Sequence, residues 1–191
     1  MDNLYFLIAG TVLFFAPHLY SAFRSRERGR DTRENMGSGR FMLSYSLVAG
    51  LGFALMVWGY GLARPSDILY VPPVWGRTVT LAIMWPALIL LMASYLPLGF
   101  IKKGVRHPML IAVFLWSGAH LLANGEMNSV ILFGSFFTYS IIGAISAYAR
   151  PASVKKPGIT GDILAVIIGS GLYFAFFQHL HELLIGLPIM V

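Results

Sequence analysis

The 191-residue chain is 57% hydrophobic, with 14 Lys or Arg against 8 Asp or Glu and no cysteine. Charged residues make up 12% of it, about half the share a soluble domain uses to cover its surface, so the composition calls for lipid around it and the net charge of +6 is not read as a nucleic-acid footprint. The missing thiols exclude disulfides, cluster-bound iron, Cys-ligated zinc and Cys nucleophiles, leaving His, Tyr, Ser and the carboxylates to carry any chemistry.

The first apolar run, residues 3–23, is long enough to cross a hydrocarbon core of about 30 Å, and it lacks the basic start and small-residue cleavage site of a signal peptide. It exits into RSRERGRDTRENMGSGR, Arg24 to Arg40, which holds six arginines. A second helix is expected over residues 41–63. The linker RPSDILYVPPVWG, with three prolines, then separates it from a third helix over 78–98, whose Pro86 removes one backbone bond and predicts a kink. A fourth, over 108–123, is short for a span. The turn NGEMN leads to a fifth over 129–149, and RPASVKKPG to a sixth over 159–185.

Twelve of the 14 basic residues fall on alternate linkers: the six arginines after helix one, then Lys102, Lys103 and Arg106, then Arg150, Lys155 and Lys156. Only Arg64 and Arg77 flank the opposite linker. The positive-inside rule therefore predicts an all-α integral membrane protein, a single domain of six transmembrane helices in one bundle, with both termini periplasmic. Trp58, Tyr60, Tyr70 and Trp75 gather near the outer linker, where amphipathic rings favour the headgroup level. Gly134 and Gly143 offer close helix packing in the fifth run.

The five histidines, His18, His107, His120, His179 and His181, are the chemical feature of the chain, and at least three lie in apolar runs. An imidazole there needs its nitrogens satisfied, either by hydrogen bonds across helices, by a metal or haem, or by a role in proton transfer. A zinc site would have to collect His120, Glu126, His179 and Glu182. Haem iron needs only one or two protein ligands. His107 and His120 are separated by roughly 20 Å along one helix and cannot ligate the same iron. By depth, His18 pairs with His107 and His120 with His179; on straight helices His18 and His120 differ by about 15 Å. Arg24, Arg40 and Arg106 are the arginines placed to meet haem propionates.

HLYSAFR (His18 to Arg24), the segment ending at Gly39 and Arg40, RHPMLIAVFLWSGAHLLANG (Arg106 to Gly125), PPVWGR and FGSFFTYSIIG together resemble the NnrU family of integral membrane proteins, over about Leu4 to Ile189. The resemblance implies a setting in denitrification and nitrogen-oxide metabolism in the bacterial inner (cytoplasmic) membrane. It also implies kinship to the plastid zeta-carotene isomerase, which binds haem b. By that kinship His18 and His120 are the iron ligands, with His107 and His179 in reserve. His107 is the histidine of the preserved RHP, and Ser117 stands where the isomerase has a cysteine that serves as an alternative ligand. Ser21, Ser117 and Asn124 supply polar groups near such an exchange. The expected activity is a haem-dependent isomerase or oxidoreductase acting on a hydrophobic small molecule, a polyene or quinone, from the bilayer. Two alternatives stand beside it: a non-catalytic assembly or electron-transfer protein, and, from a looser resemblance of RHP, an integral membrane methyltransferase or reductase whose Arg106 and His107 hold the cofactor.

Overall fold

Residues 4–150, 155–186 and 189 are described in the structure, a computed structural model. Residue 3 and linker residues 151–154, expected at the start of the first helix and in the last basic linker, lie outside the described residues. In chain order the helices are α1 (Leu4–Phe23), α2 (Thr32–Met36), α3 (Ser38–Leu62), α4 (Gly76–Tyr95), α5 (Phe100–Val105), α6 (Pro108–Ala123), α7 (Met127–Tyr148) and α8 (Ile159–Ala175). A π-helical turn, Phe176–Leu180, and α9 (His181–Ile185) continue α8 without a break.

Among the described residues, five helices are long and apolar enough to cross a membrane: α1, α3, α4, α7 and the continuous Ile159–Ile185 run. The shorter apolar α6 is a sixth. Leu51, Val57, Ile145 and Ile167 are each more than half exposed, an outward apolar face that suits lipid and would be costly in water. Thr11, Ser117, Ser135 and Ser140 turn their hydroxyls back onto carbonyls three or four residues earlier, so these polar groups are satisfied within their own helices. Pro86 lies within α4, which runs on both sides of it.

The chain divides into two compact units. The first comprises Met1–Pro72 and Asn124–Ala147. In it α1 and α3 meet backbone to backbone. A Cβ added at Gly10 would overlap the Met56 backbone, one at Gly52 the Phe14 backbone, and one at Gly59 the Leu7 backbone. Gly52 and Gly59 are seven residues apart and so share a face of α3. Gly134 has no heavy atom within 4 Å of where its Cβ would stand, whereas Gly143, the other glycine expected to pack closely, is buried in α7. The α3–α4 linker is fastened to the α6–α7 turn: Leu69 N donates to Gly125 O (2.8 Å), Met127 N to Asp67 O (2.8 Å) and Tyr70 Oη to Asn124 O (2.8 Å). Tyr60 bonds Ser129 (3.0 Å) and Tyr70 bonds the turn, whereas Trp58 and Trp75 are exposed.

The second unit comprises Pro73–Ala123 and Tyr148–Val191. Thr80 Oγ1 on α4 lies 2.6 Å from Ala119 O on α6 and 2.8 Å from Gly76 O. Gly76 itself sits against the Leu122 carbonyl. On the other face of α4, Gly169 meets the Ile89 backbone and Trp85 Nε1 donates to Ser170 Oγ (2.9 Å). The buried Asp162 of α8 accepts from Phe100 N (2.7 Å) and Ile101 N (2.9 Å), and so holds the start of α5, a helix too short to persist alone.

Candidate functional site

In the first unit, His18 is carried by α1 with its Nδ1 2.6 Å from Phe14 O, one turn earlier. A carbonyl only accepts, so Nδ1 carries the proton and the neutral ring has its lone pair on Nε2, the tautomer of a metal-ligating histidine. Four aromatic rings surround the imidazole: Phe14 (centroids 4.3 Å apart), Tyr45 of α3 (5.1 Å), Tyr139 of α7 (5.6 Å) and Phe15 (6.2 Å). The contacts continue from Tyr45 to Phe41 (6.5 Å), and Phe41 lies 5.5 Å under the Arg24 guanidinium.

Arg24 closes α1 and forms an ion pair with Asp31, whose side chain also accepts from Arg33 N (2.9 Å) as the N-cap of α2. Tyr20 bonds Thr32 across the same connection. The Arg24 guanidinium, followed by the Arg33 amide, holds the Asp31 carboxyl below the usual carboxylate range. Ser21, one turn after His18, accepts from Arg26 through its carbonyl, and Arg40 is exposed at the start of α3.

In the second unit, His120 repeats the arrangement of His18. Its Nδ1 lies 2.8 Å from Trp116 O, again one turn earlier, which places the neutral ring's lone pair on Nε2. Ser117, fully buried one turn before it, bonds Val113 O (2.6 Å), so its proton is turned back onto the helix. His181, beyond the π-helical turn, is close enough to act electrostatically on His120. His179 lies inside that turn and is exposed. A π turn adds a residue to the repeat and rotates everything after it, a shift that an unbroken 3.6-residue period does not anticipate.

Arg106 and His107 form a separate cluster at the start of α6. Arg106 has φ 58 and ψ −46, and His107 N donates to Val105 O (2.6 Å), a γ-turn in the strained left-handed region. The turn is held by Tyr148, whose Oη donates to Val105 O (2.6 Å), whose ring lies 5.1 Å beneath the Arg106 guanidinium, and against which His107 packs edge-on (5.0 Å). Arg106 also donates to the Arg150 carbonyl.

Among the described residues no three His, Asp or Glu side chains gather as a metal cluster, so the zinc quartet of His120, Glu126, His179 and Glu182 is not assembled. Sequence reasoning did not find the π turn, the γ-turn, or the roles of Asp31 and Asp162. Of these only the acids left a signal: Asp31 precedes a Thr–Arg–Glu start, and Asp162 interrupts an apolar run.

No curated protein and no solved structure matches the chain. The family model described as NnrU protein matches residues 6–189, nearly the whole sequence, and the chain therefore belongs to the NnrU family.

Proposed function

We propose that this NnrU protein binds haem b through His18 and His120, with His107 and His179 as the reserve ligands, in the inner membrane of a bacterium. The reading takes α6 as a sixth span. At about 24 Å it is short for a core of about 30 Å and is met by local thinning of the bilayer. The alternation of basic linkers supports periplasmic termini.

The observation that carries the proposal is the shared state of the two imidazoles. Each sits in an apolar helix, and each commits Nδ1 to the carbonyl one turn back, which presents Nε2 as the donor. That is the donor chemistry haem iron uses, and two ligands suffice where zinc would need three or four. The aromatic surround of His18 suits an apolar macrocycle. A bound haem would supply a redox-active iron, either for isomerising or oxidising a lipid-soluble polyene or quinone, or for nitrogen-oxide metabolism. The residues here hold and orient the imidazoles.

The test is a pyridine haemochrome assay on detergent-purified protein expressed with ample haem supply. One b-type haem per chain is expected. Protein that is folded and free of haem under those conditions rejects the reading.

A further inference from the structure

Arg24 carries a half-used guanidinium. Its side chain is only 8% exposed. Nη1 serves Asp31 and reaches toward the Ser25 carbonyl at 3.5 Å. Nε is buried and has no hydrogen-bond partner among the described residues, and Nη2 makes no hydrogen bond to them either. Asp31 has thus taken one corner of the guanidinium and left the Nε–Nη2 edge, the edge that grips a carboxylate or phosphate with two parallel hydrogen bonds. An exposed arginine would give those donors to water. Here Nε is shut away from it, against the face of Phe41, where an unmet donor is costly.

The surroundings specify what kind of anion fits. From Arg24 the side chains run through Phe41 and Tyr45 to His18, a continuous aromatic strip within one unit. We propose that the Nε–Nη2 edge of Arg24 binds the acidic head of an amphiphile, whose apolar body lies along Phe41 and Tyr45 toward His18. Two sources share this chemistry: a propionate of haem, in which case the inference rests on the haem reading, and an anionic lipid headgroup, in which case it does not. Asp31 is then the resident anion beside the site and repels the incoming acid.

The experiment compares full-length wild type, Arg24→Gln, Arg24→Lys and Asp31→Asn in detergent. Arg28→Gln serves as the exposed-arginine control. The probes are haem b, haem b dimethyl ester, which has no free carboxylate, and phosphatidylglycerol retained in native mass spectrometry. If a propionate is the head, wild type binds haem about tenfold or more tightly than the ester, the weight of a hydrogen bond to a charged group. Arg24→Gln and Arg24→Lys then level the two affinities, the lysine because it keeps the charge but loses the fork. If wild type binds no haem yet retains phosphatidylglycerol that the Arg24 variants lose, the haem reading fails while this inference stands. Asp31→Asn strengthens the bound probe in either case, whereas a purely structural Arg24–Asp31 pair would weaken it. This last variant keeps the question open to test should Arg24→Gln fail to fold. Arg24 variants that match wild type and Arg28→Gln on all three probes overturn the proposal, as does weaker binding by a folded Asp31→Asn.

Discussion

His18 and His120 hold their rings in the same way but sit in different surroundings. Each bonds the carbonyl one turn behind it. Around His18 the neighbours are aromatic and come from three helices, and the helix that bears it is pressed against α3 through glycines. His120 follows a buried serine, and its helix is fixed by a hydroxyl reaching from α4 to the Ala119 carbonyl. Equal imidazole chemistry can therefore be mounted on two kinds of scaffold, one set by contact of backbones and one by hydrogen bonds, and the two should fail differently when disturbed.

The largest effect is expected on the side of His18. Gly52 touches the backbone of Phe14, the residue whose carbonyl orients His18, so Gly52→Leu must push α1 and α3 apart. A loss of about 3 kcal/mol or more is expected, read as a collapse of the thermal midpoint in detergent, while Gly61→Ala, with open space at its Cβ, leaves the midpoint unchanged. An equal response at both positions would break the contrast.

On the side of His120, Thr80→Val removes the hydroxyl that spans α4 and α6. A cost of about 1 kcal/mol is expected from loss of one buried hydrogen bond, small beside Gly52→Leu but visible in the same melting experiment. Asp31 adds a dependence on acid. Its folded-state carboxyl is held low, so its contribution is complete above the ordinary value of about 3.9 and fades as pH falls through the lowered one. Wild type should lose more of its thermal midpoint between pH 7 and pH 3 than Asp31→Asn does, and parallel curves would remove Asp31 from the account. The smallest effect belongs to Ser117→Ala. Because that hydroxyl is committed to Val113, the absorption spectrum of any haem-loaded protein should stay in place; a displaced Soret band would make Ser117 a participant.

The features written along one helix were legible in the sequence. The six apolar runs appear at nearly the expected positions, with 108–123 and 159–185 reproduced in extent, because length and hydropathy are local properties. His18 and His120 were also identifiable as polar groups in apolar helices. The short helices α2 and α5 were not seen, since each depends on a carboxylate, Asp31 at its own N-cap or Asp162 from 62 residues away. The γ-turn at Arg106 depends on Tyr148, and no periodicity reports that contact. That Gly10, Gly52 and Gly59 meet backbone while Gly134 faces open space was hidden for the same reason: a glycine is visible in the sequence, but what it touches is not.

The most direct test of the central claim is the low-temperature EPR spectrum of ferric protein loaded with haem b, recorded for wild type, His18→Ala and His120→Ala. The account predicts a low-spin signal from two imidazole ligands in wild type and a high-spin signal, or loss of pigment, in each variant. A low-spin signal unchanged in either variant would contradict the assignment of that histidine.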